Sequence, residues 1–140
     1  MVTKKLSILF VCVGNASRSQ MAEAFAHKYL PRNIKIVSAG TKPASTISSD
    51  TIKAMAEVGI DMSKQKPKLL TIEMVNDATH FISMGCGVME SCPFPIAKDK
   101  IEIEDWDLED TKGKDIAAIR KIRDLIEQKI KDLAKKLTIK

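Results

Sequence analysis

Leu6 to Glu23 reads LSILFVCVGNASRSQMAE. The apolar run Ile8-Leu9-Phe10-Val11 predicts a fully buried strand, and Met21, Ala22, Phe25, Ala26 and Tyr29 recur at helical spacing. A strand therefore ends at Cys12, and a helix opens near Arg18 after the small polar loop Val13-Gly14-Asn15-Ala16-Ser17. A loop from a strand's carboxyl end into a helix's amino end aims several backbone N–H groups at one spot, and the helix dipole adds positive potential there. Residues 13–18 can thus cradle a tetrahedral oxyanion, with Arg18 adding a planar fork of donors. Cys12 would sit beneath that anion in a field favouring its thiolate, the nucleophilic form. Ser19 could donate a hydrogen bond to the sulfur. The loop thereby predicts Cys12 as a nucleophile rather than a small buried hydrophobe.

Composition sets the frame around this loop. The chain has 140 residues, long enough to bury a real core, and is expected to form one domain over 1–140. Met1 to Lys5 is basic, but the apolar run that follows stops at Cys12 without a small-residue cleavage site, so neither a signal peptide nor a membrane span is expected. A cytoplasmic address follows. Three cysteines then predict reactive thiols in a reducing compartment rather than a disulfide framework. The net charge of +5 comes from dispersed lysines without an aromatic-interleaved basic stripe, so nucleic acid is not an expected partner. The excess charge would steer an anionic substrate.

Along the chain, Pro31 marks the end of the first helix and Ile34 to Val37 reads as a second strand, with Ser38-Ala39-Gly40 as its exit. Thr41 to Ser49 is a loop; Ser48 or Ser49 caps a helix running to Gly59. Ile60 to Leu70 is irregular, and Thr71 caps a short helix ending near Asn76. Thr79 to Met84 predicts a third buried strand, Gly85 to Lys98 a long loop, and Ile101 with Ile103 a short fourth strand. Asp105 to Lys114 is an acidic turn region. Asp115 opens a long helix with the stripe Ile116, Ile119, Ile122, Ile126, Ile130, Leu133 and Leu137 turned inward. Strands alternating with helices predict an α/β three-layer sandwich: a four-stranded parallel sheet flanked by helices, with ligands at the strands' carboxyl ends.

The segment VCVGNASRSQMAE resembles the active-site loop of the low-molecular-weight tyrosine phosphatase family, whose pattern is C-x-G-N-x-x-R-S. Gln20, where the phosphatases usually carry proline, is similar to the family's other branch, the thioredoxin-coupled arsenate reductases. The match extends, with gaps, over nearly the whole chain.

The resemblance gives Cys86 and Cys92, on the loop after the third strand, a role beside Cys12. Arsenate would bind the anion loop and Cys12 would attack arsenic; Cys86 would then attack the Cys12 sulfur, and Cys92 would take over the disulfide and present it to thioredoxin. Gly85 and Gly87 on either side of Cys86 would permit the loop movement this requires. A zinc site is not expected, since five residues separate the two cysteines and no second ligand pair is at hand; His27 and His80 are isolated. The loop cysteines stand one residue closer together than in those reductases.

Trp106 to Asp110 is similar to the segment supplying the family's general acid, a role that falls on Asp110, with Asp107 and Glu109 as rivals. Threonine follows Asp110 where the family usually has proline. Phosphatases of this fold place aromatic side chains beside that acid, whereas here only Trp106 is near it. Some reductases of this type bind potassium under the loop, and Asn15, Glu23 and Ser38 match those ligand positions. The fourth, acidic in those members, aligns with Lys68, whose ammonium could replace the ion; neither a metal nor another cofactor is expected. The competing expectation is a phosphatase hydrolysing aryl phosphates through Cys12, which would need neither Cys86 nor Cys92.

Overall fold

In a computed structural model, residues 6–85, 101–109, 111 and 113–138 are described. The chain runs β1 (Ser7–Cys12), α1 (Arg18–Tyr29), β2 (Lys35–Gly40), α2 (Ser49–Ala56), α3 (Ile72–Asp77), β3 (His80–Ser83), β4 (Glu102–Asp105) and α4 (Ile116–Thr138). The four strands are all parallel, in the order β2-β1-β3-β4. β1 is therefore central, with β2 on one side and β3 on the other. Chain order reverses at β1, and such a switch point opens a crevice at the carboxyl ends of the strands. Cys12, the last residue of β1, stands there.

Every residue of β1 is buried because helices cover both faces of the sheet. Side chains alternate along it. Ile8, Phe10 and Cys12 join Met21 and Phe25 of α1, Met55 of α2, and Ile122, Ile126 and Ile130 of α4. Leu9 and Val11 face the other way, onto Phe81, Leu70 and Val75, the last from α3. The stripe read for the long helix is buried from Ile119 to Leu133, with Leu137 packed at its edge. Asp115 caps that helix, its carboxylate accepting from the Ala118 N–H at 2.9 Å. Ser48 and Thr71 cap α2 and α3 through their side-chain oxygens.

Two boundaries differ from the sequence expectation for identifiable reasons. Ser38-Ala39-Gly40 is not an exit but the last half of β2, paired with Phe10, Val11 and Cys12. Gly40 is there because a β-carbon would stand 2.6 Å from the Val13 carbonyl oxygen, so the strand hugs the loop after β1. The second helix stops at Ala56, three residues before Gly59, which takes the left-handed φ of +82° in the turn that follows. The long loop read over Gly85 to Lys98 lies, from Cys86 onward, outside the described residues.

Candidate active site

Four backbone hydrogen bonds from one neighbouring segment shape the loop after β1. The N–H groups of Thr41, Lys42, Ala44 and Ser48 donate to the carbonyls of Cys12, Val13, Gly14 and Ala16, at 3.2, 2.9, 2.9 and 3.0 Å. In a planar trans peptide the C=O and the following N–H point in opposite directions. Anchoring these four carbonyls outward therefore turns the N–H groups of Val13, Gly14, Asn15 and Ser17 toward the cysteine side. The Asn15 N–H reaches Cys12 Sγ at 3.1 Å. Asn15 holds a left-handed φ of +50° to do so.

The amino end of α1 is left open to a ligand. Ser17 sits at the N-cap position, but its hydroxyl bonds Thr51 Oγ1 at 2.6 Å rather than capping the helix. No acidic residue lies in the first turn to neutralise the dipole. Cys12 is nearly buried at the base of the space in front of this helix end, with Ser19 Oγ 2.9 Å from its sulfur. The space is a cavity of about 760 Å³. Among the described residues, Cys12, residues 13–14 and 16–18, Lys42 and Lys114 line it, together with one carboxylate, that of Asp50.

Arg18 joins the loops that follow three strands. Its Nη1 donates to the carbonyl of Met84, just after β3, at 2.7 Å, and to that of Leu108, after β4, at 3.0 Å. Arg18 itself is buried. The loops after β1, β3 and β4 thus meet at one guanidinium, as the parallel-sheet reading requires. Cys86, Cys92 and Asp110 lie outside the described residues. Their neighbours are placed: Gly85 packs against Arg18 and Leu108, and Thr111 lines the cavity. Of the rival acids, Asp107 and Glu109 are exposed and neither lines the cavity; Glu109 pairs with Lys114 at 3.0 Å.

Trp106 points away from the site. It is buried against Phe10, ring centroids 5.7 Å apart, and Lys129 Nζ stands over its ring at 5.7 Å from the centroid. No aromatic side chain is among the described residues lining the cavity.

Behind the loop, Asn15 Nδ2 donates to Ser19 Oγ and Ser38 Oγ, and Ser38 donates in turn to Glu23. Lys68 Nζ stands 3.4 Å from Ser38 Oγ and 3.5 Å from Glu23 Oε1. An ammonium thus occupies the place where the resemblance would put a potassium ion, and these residues do not fit a metal cation. His27, read as isolated, approaches Glu23 at 3.6 Å. His80 is remote from the cavity: it begins β3, bonds Thr79 and approaches Glu102. Burial holds its imidazole below its ordinary pKa, against an opposing pull from Glu102.

Several parts of this site had no signature in the sequence. The carbonyl anchors at 41–48 and the Met84 and Leu108 carbonyls are backbone groups, which residue type does not reveal. Thr51 and the Lys66 carbonyl act by contact, and only the fold brings them to the loop.

Fold and loop together define a parallel α/β protein with a cysteine at a strand end, framed by a helix amino terminus and a buried arginine. The chain belongs to the low molecular weight phosphotyrosine protein phosphatase family, whose model matches residues 7–140. It is 33% identical over 129 residues to a putative arsenate reductase of Halobacterium salinarum, covering 89% of this chain and 87% of that one. Among solved structures it is similar to the arginine phosphatase YwlE of Geobacillus stearothermophilus, with TM-score 0.83, 34% identity, and 94% and 92% of the two chains covered. It is also similar to a thioredoxin-dependent arsenate reductase of Corynebacterium glutamicum, with TM-score 0.79, 32% identity, and 97% and 63% covered. No helix among the described residues is long and apolar enough to cross a membrane.

Proposed function

We propose that the protein reduces arsenate to arsenite, with Cys12 as nucleophile and Cys86 and Cys92 as the thiols that carry the disulfide away. The observation that carries this reading is the placement of Cys12 Sγ. It lies within hydrogen-bond reach of the Asn15 N–H and Ser19 Oγ, at the floor of a cavity whose Arg18 is tied to the strand end leading into Cys86.

Arsenate has the shape and charge of phosphate. The loop N–H groups and the arginine would hold its oxygens while the Cys12 thiolate attacks arsenic and Asp110 protonates the departing oxygen, which leaves as water. Cys86 then attacks the Cys12 sulfur. The As–S bond breaks, its electron pair stays on arsenic, and arsenite departs from a Cys12–Cys86 disulfide. Cys92 displaces Cys12 from Cys86, and the resulting Cys86–Cys92 disulfide is reduced by thioredoxin. Two thiols thereby supply the two electrons. The Halobacterium and Corynebacterium relatives support this reading, and the reducing cytoplasm is the compartment that suits it.

The arginine phosphatase among the relatives keeps a second reading alive, hydrolysis of a phosphoryl group through a Cys12 phospho-intermediate. It makes no use of Cys86 or Cys92. Thioredoxin-coupled arsenate turnover by cysteine variants separates the two. Cys12→Ser should abolish both activities, whereas Cys86→Ser or Cys92→Ser should stop arsenate reduction and spare hydrolysis of an aryl phosphate. Normal arsenate reduction by both loop-cysteine variants would remove the relay.

A further inference from the structure

Gln20, the third residue of α1, is 1% exposed. Its Nε2 donates to Asn15 Oδ1 and to the Lys66 carbonyl, both at 2.9 Å, while its buried Oε1 receives no hydrogen bond from a described residue. The Lys66 carbonyl can only accept, so the opposite amide orientation would set oxygen against oxygen. The side chain is placed for what its nitrogen gives.

The direction of the remaining bonds follows. Asn15 Oδ1 receives the Gln20 amide and the Lys68 N–H, at 2.8 Å, so Asn15 Nδ2 must face Ser19 and Ser38, at 2.7 and 3.1 Å. Ser19 Oγ accepts from Asn15 and has one hydrogen of its own. Once Cys12 is ionised its sulfur, 2.9 Å away, can only accept, and that hydrogen goes to it. The same Asn15 backbone supplies the sulfur's second donor.

We infer that Gln20 is a positioning residue for Cys12: it clasps the 66–68 segment onto the loop and, through Asn15 and Ser19, keeps two donors aimed at the sulfur. This rests on Cys12 being the nucleophile. A hydrogen bond to an ionised sulfur is stronger than one to a neutral thiol, so loosening Asn15 raises the pH at which Cys12 becomes reactive. The charged groups around the chain are Glu23 and Lys68 at Ser38 and Arg18 on the loop, and changing Gln20 removes none of them.

The test uses Gln20→Ala and Gln20→Met, the second keeping the length and apolar packing while removing both donors. The rate at which iodoacetamide alkylates Cys12, followed by mass spectrometry of its peptide across pH, reads the sulfur directly. The midpoint should move up by about half to one pH unit, and arsenate kcat should fall about three- to tenfold with KM within about twofold. A profile superimposable on that of the unaltered protein in the folded variants, whatever their Tm, would overturn the inference. Absence of arsenate turnover in the unaltered protein would instead count against the proposed function, since the alkylation profile stands without it.

Discussion

Arg18 and Gly85 are packed so closely that a β-carbon on Gly85 would stand 3.0 Å from Arg18 Nη1, and 2.6 Å from the Leu108 carbonyl that the same nitrogen binds. Gly85 also holds φ at +131°, a conformation side chains rarely adopt. Glycine is therefore required here by what lies against it. Gly85→Ala should push the guanidinium off its two carbonyls and away from the oxyanion. We expect KM for arsenate to rise about tenfold, and unfolding free energy to fall by about 1–3 kcal/mol from backbone strain. Steady-state kinetics and chemical denaturation check both. Unchanged constants would mean that Arg18 does not depend on this packing.

Lys68 makes a prediction about ions. Its ammonium sits between Ser38 and Glu23, where a monovalent cation would otherwise neutralise Glu23. Activity should change by less than about twofold when potassium replaces sodium at equal ionic strength, since the charge is built in. A large activation by potassium would show that the ion displaces the lysine.

The cavity should serve aryl phosphates poorly. Trp106 is committed to the core on Phe10, and the described lining offers no ring for an aryl group to stack on. Hydrolysis of p-nitrophenyl phosphate is expected to be slow, with KM in about the millimolar range or above. Efficient turnover at about micromolar concentration would contradict this.

His80 ties stability to pH. Burial lowers its folded pKa below the ordinary 6.5, with Glu102 and Glu104 opposing and Lys136 assisting the shift. Between the unfolded value and the lower folded one, the unfolded chain binds more protons. The stabilisation is therefore complete above about 6.5 and is lost as pH falls from there through the folded value. Thermal melts of His80→Gln between about pH 7 and pH 5 should decline less steeply than those of the unaltered protein. Parallel curves would refute the assignment.

What could be read from residue types was the part that residue types decide. The run into Cys12, the small loop and the Arg18 helix start specify a local structure whose backbone geometry follows from strand-to-helix connection, and the isoleucine stripe of α4 specifies its buried face. Lys68 was placed near Glu23 and Ser38 by resemblance, and the structure puts it there. The rest depends on contacts between distant segments. Gly40 looked like a strand exit because glycine usually ends strands; it extends β2 because the loop presses on it. Gly85 reads in sequence as one of two glycines that would permit loop movement; its neighbours add a close approach that no residue type announces. The anchors at 41–48 are invisible in sequence because both partners of each bond are backbone groups, and the Gln20 clasp because it ends on the backbone carbonyl of Lys66.

The central claim is that Cys12 starts a transfer of electrons to arsenate that ends on the loop cysteines. A single turnover tests it most directly: fully reduced protein, excess arsenate, no external thiol, then alkylation and peptide mapping by mass spectrometry. The account predicts a Cys86–Cys92 disulfide that forms only with arsenate, leaving Cys12 free. If arsenate produces no disulfide, the intramolecular relay is wrong, and the site is better explained as that of a phosphatase.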